Sequence, residues 1–84
     1  VQIPSPLRSY TGNESKVEIQ GTTVRELLEN LDETYPGIRF RMIDEQDGIR
    51  KHIRIYTDND LVTELDSSLQ GVKTVHIICA LSGG

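Results

Sequence analysis

The stretch 22–37 constrains this chain more than any other. Thr23 followed three residues later by Glu26 has the form of a capping box. A threonine oxygen can accept from a free amide of the first helical turn while the glutamate reaches back. Val24, Leu27, Leu28, Leu31 and Tyr35 then recur at i, i+3, i+4, i+7 and i+11, which stacks them on one face of a helix. Arg25, Glu29, Asn30, Asp32 and Glu33 fall on the side facing water, and Pro36-Gly37 stops the helix. One helix with one apolar stripe must bury that stripe against something.

The rest of the chain supplies strands. Lys16-Val17-Glu18-Ile19-Gln20 alternates polar and apolar, with Val17 and Ile19 inward. Val1-Gln2-Ile3 reads as a strand end halted by Pro4 and Pro6, and turn residues between Ser9 and Glu14 make the two an antiparallel hairpin. Residues 38–49 carry enough apolar side chains (Ile38, Phe40, Met42, Ile43) to cover a core edge, then turn at Asp47-Gly48. His52–Tyr56 is a strand with Ile53 and Ile55 inward. A tight turn at 57–60 leads to Leu61-Val62, at most a short strand, and Leu69-Gln70-Gly71 marks another turn. Val75–Leu81 is apolar at nearly every position, the signature of a strand central in its sheet. The order β-β-α-β-(β)-β, with one helix to cover one sheet face, predicts a two-layer α+β fold.

With 84 residues the chain is one domain, and its formal net charge of −4 argues against a phosphate-neutralising nucleic-acid interface. The acidic clusters at 44–47 and 58–66 read first as solvated faces and second as a footprint for a basic partner. No apolar run reaches the roughly 18–20 residues of a membrane span. A start at Val1 rather than Met points to processing or trimming. One cysteine, Cys79, excludes an internal disulfide, and with no secretory signal visible the expected compartment is the cytoplasm.

Conventional enzyme chemistry finds no candidate here. His76 and Cys79 lie three apart on a strand and so point to opposite faces, which is no metal site. Cys79 shares a face with Val75, Ile77 and Leu81 and reads as a small buried hydrophobe. The carboxylates sit on turns and on the solvent side of the helix, and the glycines at 12, 21, 37, 48 and 71 are isolated at element ends.

The end of the chain remains. Ser82-Gly83-Gly84 follows the last strand directly, giving a domain at 1–81 and a flexible tail at 82–84. Glycines cost backbone entropy and add no packing. Two at the extreme end suit a backbone that something must approach closely, although a frayed terminus has the same composition. Extended, Leu81–Gly84 spans roughly 13–14 Å, enough to thread a narrow channel.

Together these features resemble the ubiquitin-like sulfur-carrier family of the MoaD/ThiS type, whose fold is the β-grasp. The likeness covers nearly the whole chain: the opening hairpin, the helix Thr23-Val24-Arg25-Glu26-Leu27-Leu28, the stop Pro36-Gly37-Ile38, the strand Ile53-Arg54-Ile55-Tyr56, Gly71 before Val75-His76-Ile77, and above all Gly83-Gly84. Ile3-Pro4-Ser5-Pro6-Leu7-Arg8 with Thr11-Gly12 looks most like the CysO branch. The resemblance implies a mixed sheet of four to five strands packed on one amphipathic helix. It implies that a ubiquitin-activating-like adenylating enzyme joins the Gly84 carboxylate to AMP, and that sulfur then replaces AMP to give a thiocarboxylate. The carrier would be a co-substrate rather than an enzyme, a monomer when free, with no cofactor of its own, since ATP and magnesium belong to the partner. A sulfur-accepting biosynthetic enzyme would be the second partner, in cysteine synthesis first and in molybdopterin or thiamine synthesis otherwise.

The resemblance also implies that Leu81, Ser82, Gly83 and Gly84 enter the partner's active site. It implies that the sheet face away from the helix meets partners, with Arg54, Tyr56, His76, Ile78 and Ala80 on it and Ile78 beside Tyr56 as an apolar anchor. Family members commonly carry proline near the positions of Cys79 and Ala80, and its absence here predicts a last strand that runs further. Two other functions fit the same residues. One is a protein modifier joined through Gly84 to lysines, and the other a non-covalent β-grasp adaptor for which the tail is dispensable.

Overall fold

The computed structural model describes residues 1–80. A short 3₁₀ helix spans Ser5–Tyr10. It is followed by helices α1 (Val24–Thr34) and α2 (Ile38–Met42), then strands β1 (Ile53–Thr57), β2 (Asp60–Leu61) and β3 (Val75–Cys79). The strands form one sheet in the order β2-β1-β3, with both pairings antiparallel.

Helix α1 forms as its periodicity demands. Thr23 is extended, and its hydroxyl accepts from the Glu26 N–H at 3.2 Å. The glutamate reaches one residue further back than a capping box requires, accepting from the N–H and hydroxyl of Thr22 at 2.6 and 2.9 Å. The free amides of the first turn all find acceptors. Val24 donates to Ser67 O and Arg25 to Leu65 O, and Leu27 makes the first intrahelical bond, to Thr23 O. The loop 62–69 is thereby pinned to the start of the helix, and its Leu65 is buried in the core. Val24, Leu27, Leu28 and Leu31 are buried in one cluster with Ile53, Ile55, Val75 and Ile77 of the sheet. Tyr35 closes the helix and is only partly buried.

Gly37 reverses the chain at φ +96°, and α2 follows at once. Asp32, on the solvent side of α1, accepts from the N–H of Gly37 and of Arg39 at 3.0 and 3.1 Å and so caps the new helix. Ile38 and Met42 pack into the core while Phe40 points out. The turn at Asp47-Gly48 stands, with Asp47 at φ +60° and an Ile43–Ile49 bridge across it.

The opening hairpin is reduced. Gln2 forms an antiparallel bridge with Lys16 and a parallel bridge with His76, and neither arm is a full strand. Pairing is confined to Val1–Ile3: Val17 N donates to Val1 O and Ile3 N to Ser15 O. After Ile3 the chain leaves the ladder, turning at Pro4 (φ −72°, ψ 154°) into the 3₁₀ helix, whose first turn holds Pro6. Among the described residues the sheet thus has three strands rather than four to five, extended by these single bridges into a mixed arrangement. The inward residues were read correctly: Val17 is buried and Ile19 packs against the core.

Strand β3 is flanked on both sides. It pairs with β1 on one edge, and on the other Gln2 accepts from Ile77 N while donating to Val75 O. Among the described residues it ends at Cys79, and beyond it Ala80 N makes one more bond, to His52 O at 2.7 Å. The tail 81–84 lies outside the described residues.

Candidate functional site

Strand register decides what lies on the sheet face away from α1. Facing residues of an antiparallel pair share a side. Arg54 pairs with Ile78, Tyr56 with His76, and Ile53 with Cys79. Tyr56 also pairs with Leu61 of β2, and His76 with Gln2. One row therefore runs Leu61, Tyr56, His76, Gln2, Lys16, and the next holds Arg54 and Ile78. The alternate residues Ile53, Ile55, Val75 and Ile77 are all buried, so the row faces solvent.

Ile78 and Leu61 are 46% and 50% exposed, large fractions for branched apolar side chains in strands. Tyr56 and His76 lie between them, half-buried. Ile78 sits directly opposite Arg54 and diagonal to Tyr56. The Arg54 guanidinium donates to the carbonyls of Lys51 and Ile53 at 2.7 and 3.0 Å, which holds it at the end of the patch nearer Ala80. Arg54, Tyr56, Ile78 and Ala80 thus share one solvent-facing surface that leads to the chain's last described residue. The predicted tail residues Leu81, Ser82, Gly83 and Gly84 lie outside the described residues. Leu61 is the member that sequence reading missed. Its signal is the turn: Thr57 pairs with Asp60, leaving only Asp58 and Asn59 between them, and this places Leu61 opposite Tyr56.

Cys79 is half-buried rather than fully enclosed, and burial pushes its thiol above the ordinary cysteine value, away from nucleophilic use. It lines a groove with Phe40, Arg41, Arg50, His52 and Ala80. Among the described residues no group of three or more histidine, cysteine or carboxylate side chains converges to hold a metal ion, and no helix is long and apolar enough to cross a membrane.

The model of the ThiS family matches residues 1–84. The chain belongs to the ThiS family. Its relatives within that family include the sulfur carrier protein CysO of Mycobacterium tuberculosis, 29% identical over 89 residues that take in all of this chain and 96% of that one. The fold of this ThiS-family chain superimposes on CysO in a crystal structure of the Amycolatopsis orientalis BexX/CysO complex, with a TM-score of 0.89 and 30% identity over 99% of this chain and 96% of that one. The crystal structure of Mycobacterium tuberculosis CysO matches with a TM-score of 0.87 and 26% identity over 95% and 96% of the two chains. The β-grasp architecture expected from the sequence is therefore the fold of this protein, and its place in the family is beside the CysO-type sulfur carriers.

Proposed function

We propose that this ThiS-family protein is a CysO-type sulfur carrier whose Gly84 carboxylate is the reacting group. The observation that carries the reading is the extent of the family match, which runs through Gly83-Gly84 to the end of the chain. In the proposed sequence a carboxylate oxygen of Gly84 attacks the α-phosphorus of ATP on a partner adenylating enzyme and expels pyrophosphate. Sulfide then attacks the carbonyl carbon and expels AMP, so that one oxygen is replaced by sulfur. The thiocarboxylate passes its sulfur to a biosynthetic acceptor enzyme, in cysteine synthesis by analogy with the CysO relatives.

The physical logic is simple. A carboxylate is a poor electrophile, and a mixed anhydride with AMP gives it a good leaving group. Glycines at the last two positions let the backbone enter a narrow nucleotide site without side chains in the way. The adenylating enzyme supplies the ATP and magnesium chemistry, and this chain acts as its co-substrate. The outer sheet face seats that enzyme, with Ile78 and Leu61 as apolar anchors around Tyr56, and Arg54 and Ala80 towards the tail. That CysO in Amycolatopsis orientalis is found in complex with BexX supports a role exercised by docking on other proteins.

ATP–pyrophosphate exchange by the adenylating enzyme from the same genome tests the first step. The full chain should stimulate exchange, and the chain lacking Gly83-Gly84 should not. Stimulation that survives the deletion would place the reacting group elsewhere.

A further inference from the structure

The net charge of −4 conceals a segregation. Carboxylates gather on the exposed side of α1 (Glu26, Glu29, Glu33), at the far end of β1 (Asp58, Asp60) and in the turn 44–47, where Asp47 is taken up by Arg25 and Arg39. The near end of β1 and the groove beside it carry Arg41, Arg50, Lys51, His52 and Arg54. Among the described residues the three ion pairs engage only Arg25 and Arg39, with Asp47 and Asp66. Arg41, Arg50, Lys51 and Arg54 have no carboxylate within ion-pair distance there. Asp44, the carboxylate whose field reaches Arg50, instead accepts with its Oδ1 from the N–H groups of Gln46 and Gly48.

The groove also has fixed geometry. Arg50 Nε donates to Phe40 O at 2.8 Å, and its guanidinium lies 4.7 Å from the centroid of the Phe40 ring. Phe40 is 55% exposed, the most exposed of the large hydrophobics described. Arg50 is therefore a cation already held on an aromatic plate, with little side-chain freedom left to lose on binding. Arg41 is exposed and lines the same groove, together with Cys79 and Ala80. Ala80 is also where the outer sheet face leads, so the groove is continuous with that docking face.

We propose that this groove is a second docking surface for the adenylating enzyme and takes an acidic segment of it. The segment's carboxylates meet Arg41 and Arg50, and an apolar side chain packs against Phe40 and Cys79. The inference rests on the sulfur-carrier reading above and adds to it a basic contact that orients the tail's root. Charge complementarity of this kind acts on encounter and register, so its signature is a salt-dependent KM rather than an altered kcat.

The test is carrier-stimulated ATP–pyrophosphate exchange with the full chain and the adenylating enzyme from the same genome, at low and high salt. Arg41→Glu and Phe40→Ser should each raise the carrier's KM by about tenfold at low salt with kcat unchanged, and Arg41→Glu should flatten the salt dependence. Neither exposed side chain supports the core, and thermal unfolding verifies each fold. Glu29→Lys makes an equal-sized charge change on the exposed side of α1 and should leave KM unchanged. If wild type stimulates exchange but both groove variants stay within about twofold of it, the groove proposal falls and the carrier reading stands. A KM shift from Glu29→Lys as large as that from Arg41→Glu also overturns it, because the effect would then be net charge. So does a defect confined to sulfur delivery, which assigns the groove to the acceptor enzyme. If wild type itself fails to stimulate exchange, the carrier reading fails and the groove proposal fails with it.

Discussion

Replacing Ile78 with alanine probes the outer face with the least damage to the fold. Ile78 is 46% exposed, so somewhat less than half of its apolar surface is left for a partner to cover. Burying an aliphatic side chain completely is worth about 1.5–3 kcal/mol, so covering that remainder contributes about 0.7–1.4 kcal/mol. At roughly 1.4 kcal/mol per decade the dissociation constant for the adenylating enzyme should rise by about 3- to 10-fold. Alanine keeps the β-carbon, which makes this the upper end of the expected effect. Titration calorimetry at fixed salt measures the affinity, and a thermal melt of the same sample verifies that the sheet is intact. Leu61→Ala, 50% exposed at the other end of the patch, should give a loss of similar size. If both variants bind like wild type, the outer face is not the docking face. If Ile78→Ala weakens binding far more than tenfold while the melt stays unchanged, Ile78 is doing something other than covering apolar surface.

Other expectations concern the scaffold. Leu28 is fully buried, and Leu28→Ala should cost about 2–5 kcal/mol in urea unfolding. Thr23→Ala removes the hydroxyl that accepts from Glu26 N and should cost about 0.5–2 kcal/mol by the same measurement. A β-carbon at Gly21 would stand 2.6 Å from Leu27 N, so Gly21→Ala must push backbone away from α1 and should lower the melting temperature, whereas alanine at Leu28 opens a cavity. Acid should weaken the fold. Arg25 and then Arg39 hold the Asp47 carboxyl below its ordinary value, the N–H groups of Gly48 and Gln46 do the same for Asp44, and Thr22 for Glu26. Depressed carboxyl values contribute stability that is complete above the ordinary range near pH 4 and is lost as pH falls through the lowered values. The melting temperature should therefore drop between about pH 5 and 3, less steeply in Asp47→Asn. A melting temperature flat across that interval would contradict the assignment.

What the sequence disclosed divides along a physical line. Helix α1 was legible because a period of 3.6 and a cap are local properties, and its stripe is the stripe that is buried. The alternation of Ile53 and Ile55 against Arg54 and Tyr56 likewise set the sides of β1. The opening hairpin was read as two strands from the same alternation. Its burial followed but its pairing did not, because a ladder needs successive partners and the chain turns at Pro4 into the 3₁₀ helix. The 3₁₀ helix hid behind Pro4 and Pro6, which suggest a break as readily as a helical first turn. Helix α2 depends on a carboxylate five residues before its N-cap, a contact between Asp32 and Gly37 N that no residue pattern announces. On the outer sheet face, Ile78 and Tyr56 were legible from period two, and Leu61 only once the turn length was known. The Phe40–Arg50 plate was not legible, since it arises where the turn at 44–48 brings Arg50 back to the end of α2. Cys79 was read as core because its face is apolar, but the face ends there and the groove opens.

The central claim is that Gly84 carries sulfur, and intact mass tests it most directly. The full chain would be incubated with the adenylating enzyme, ATP and sulfide, and its terminal peptide then fragmented. A gain equal to the difference between sulfur and oxygen, located at Gly84 and absent when Gly84 is deleted, is the predicted result. An unchanged mass, with neither thiocarboxylate nor AMP adduct from an enzyme active on another carrier, would contradict it.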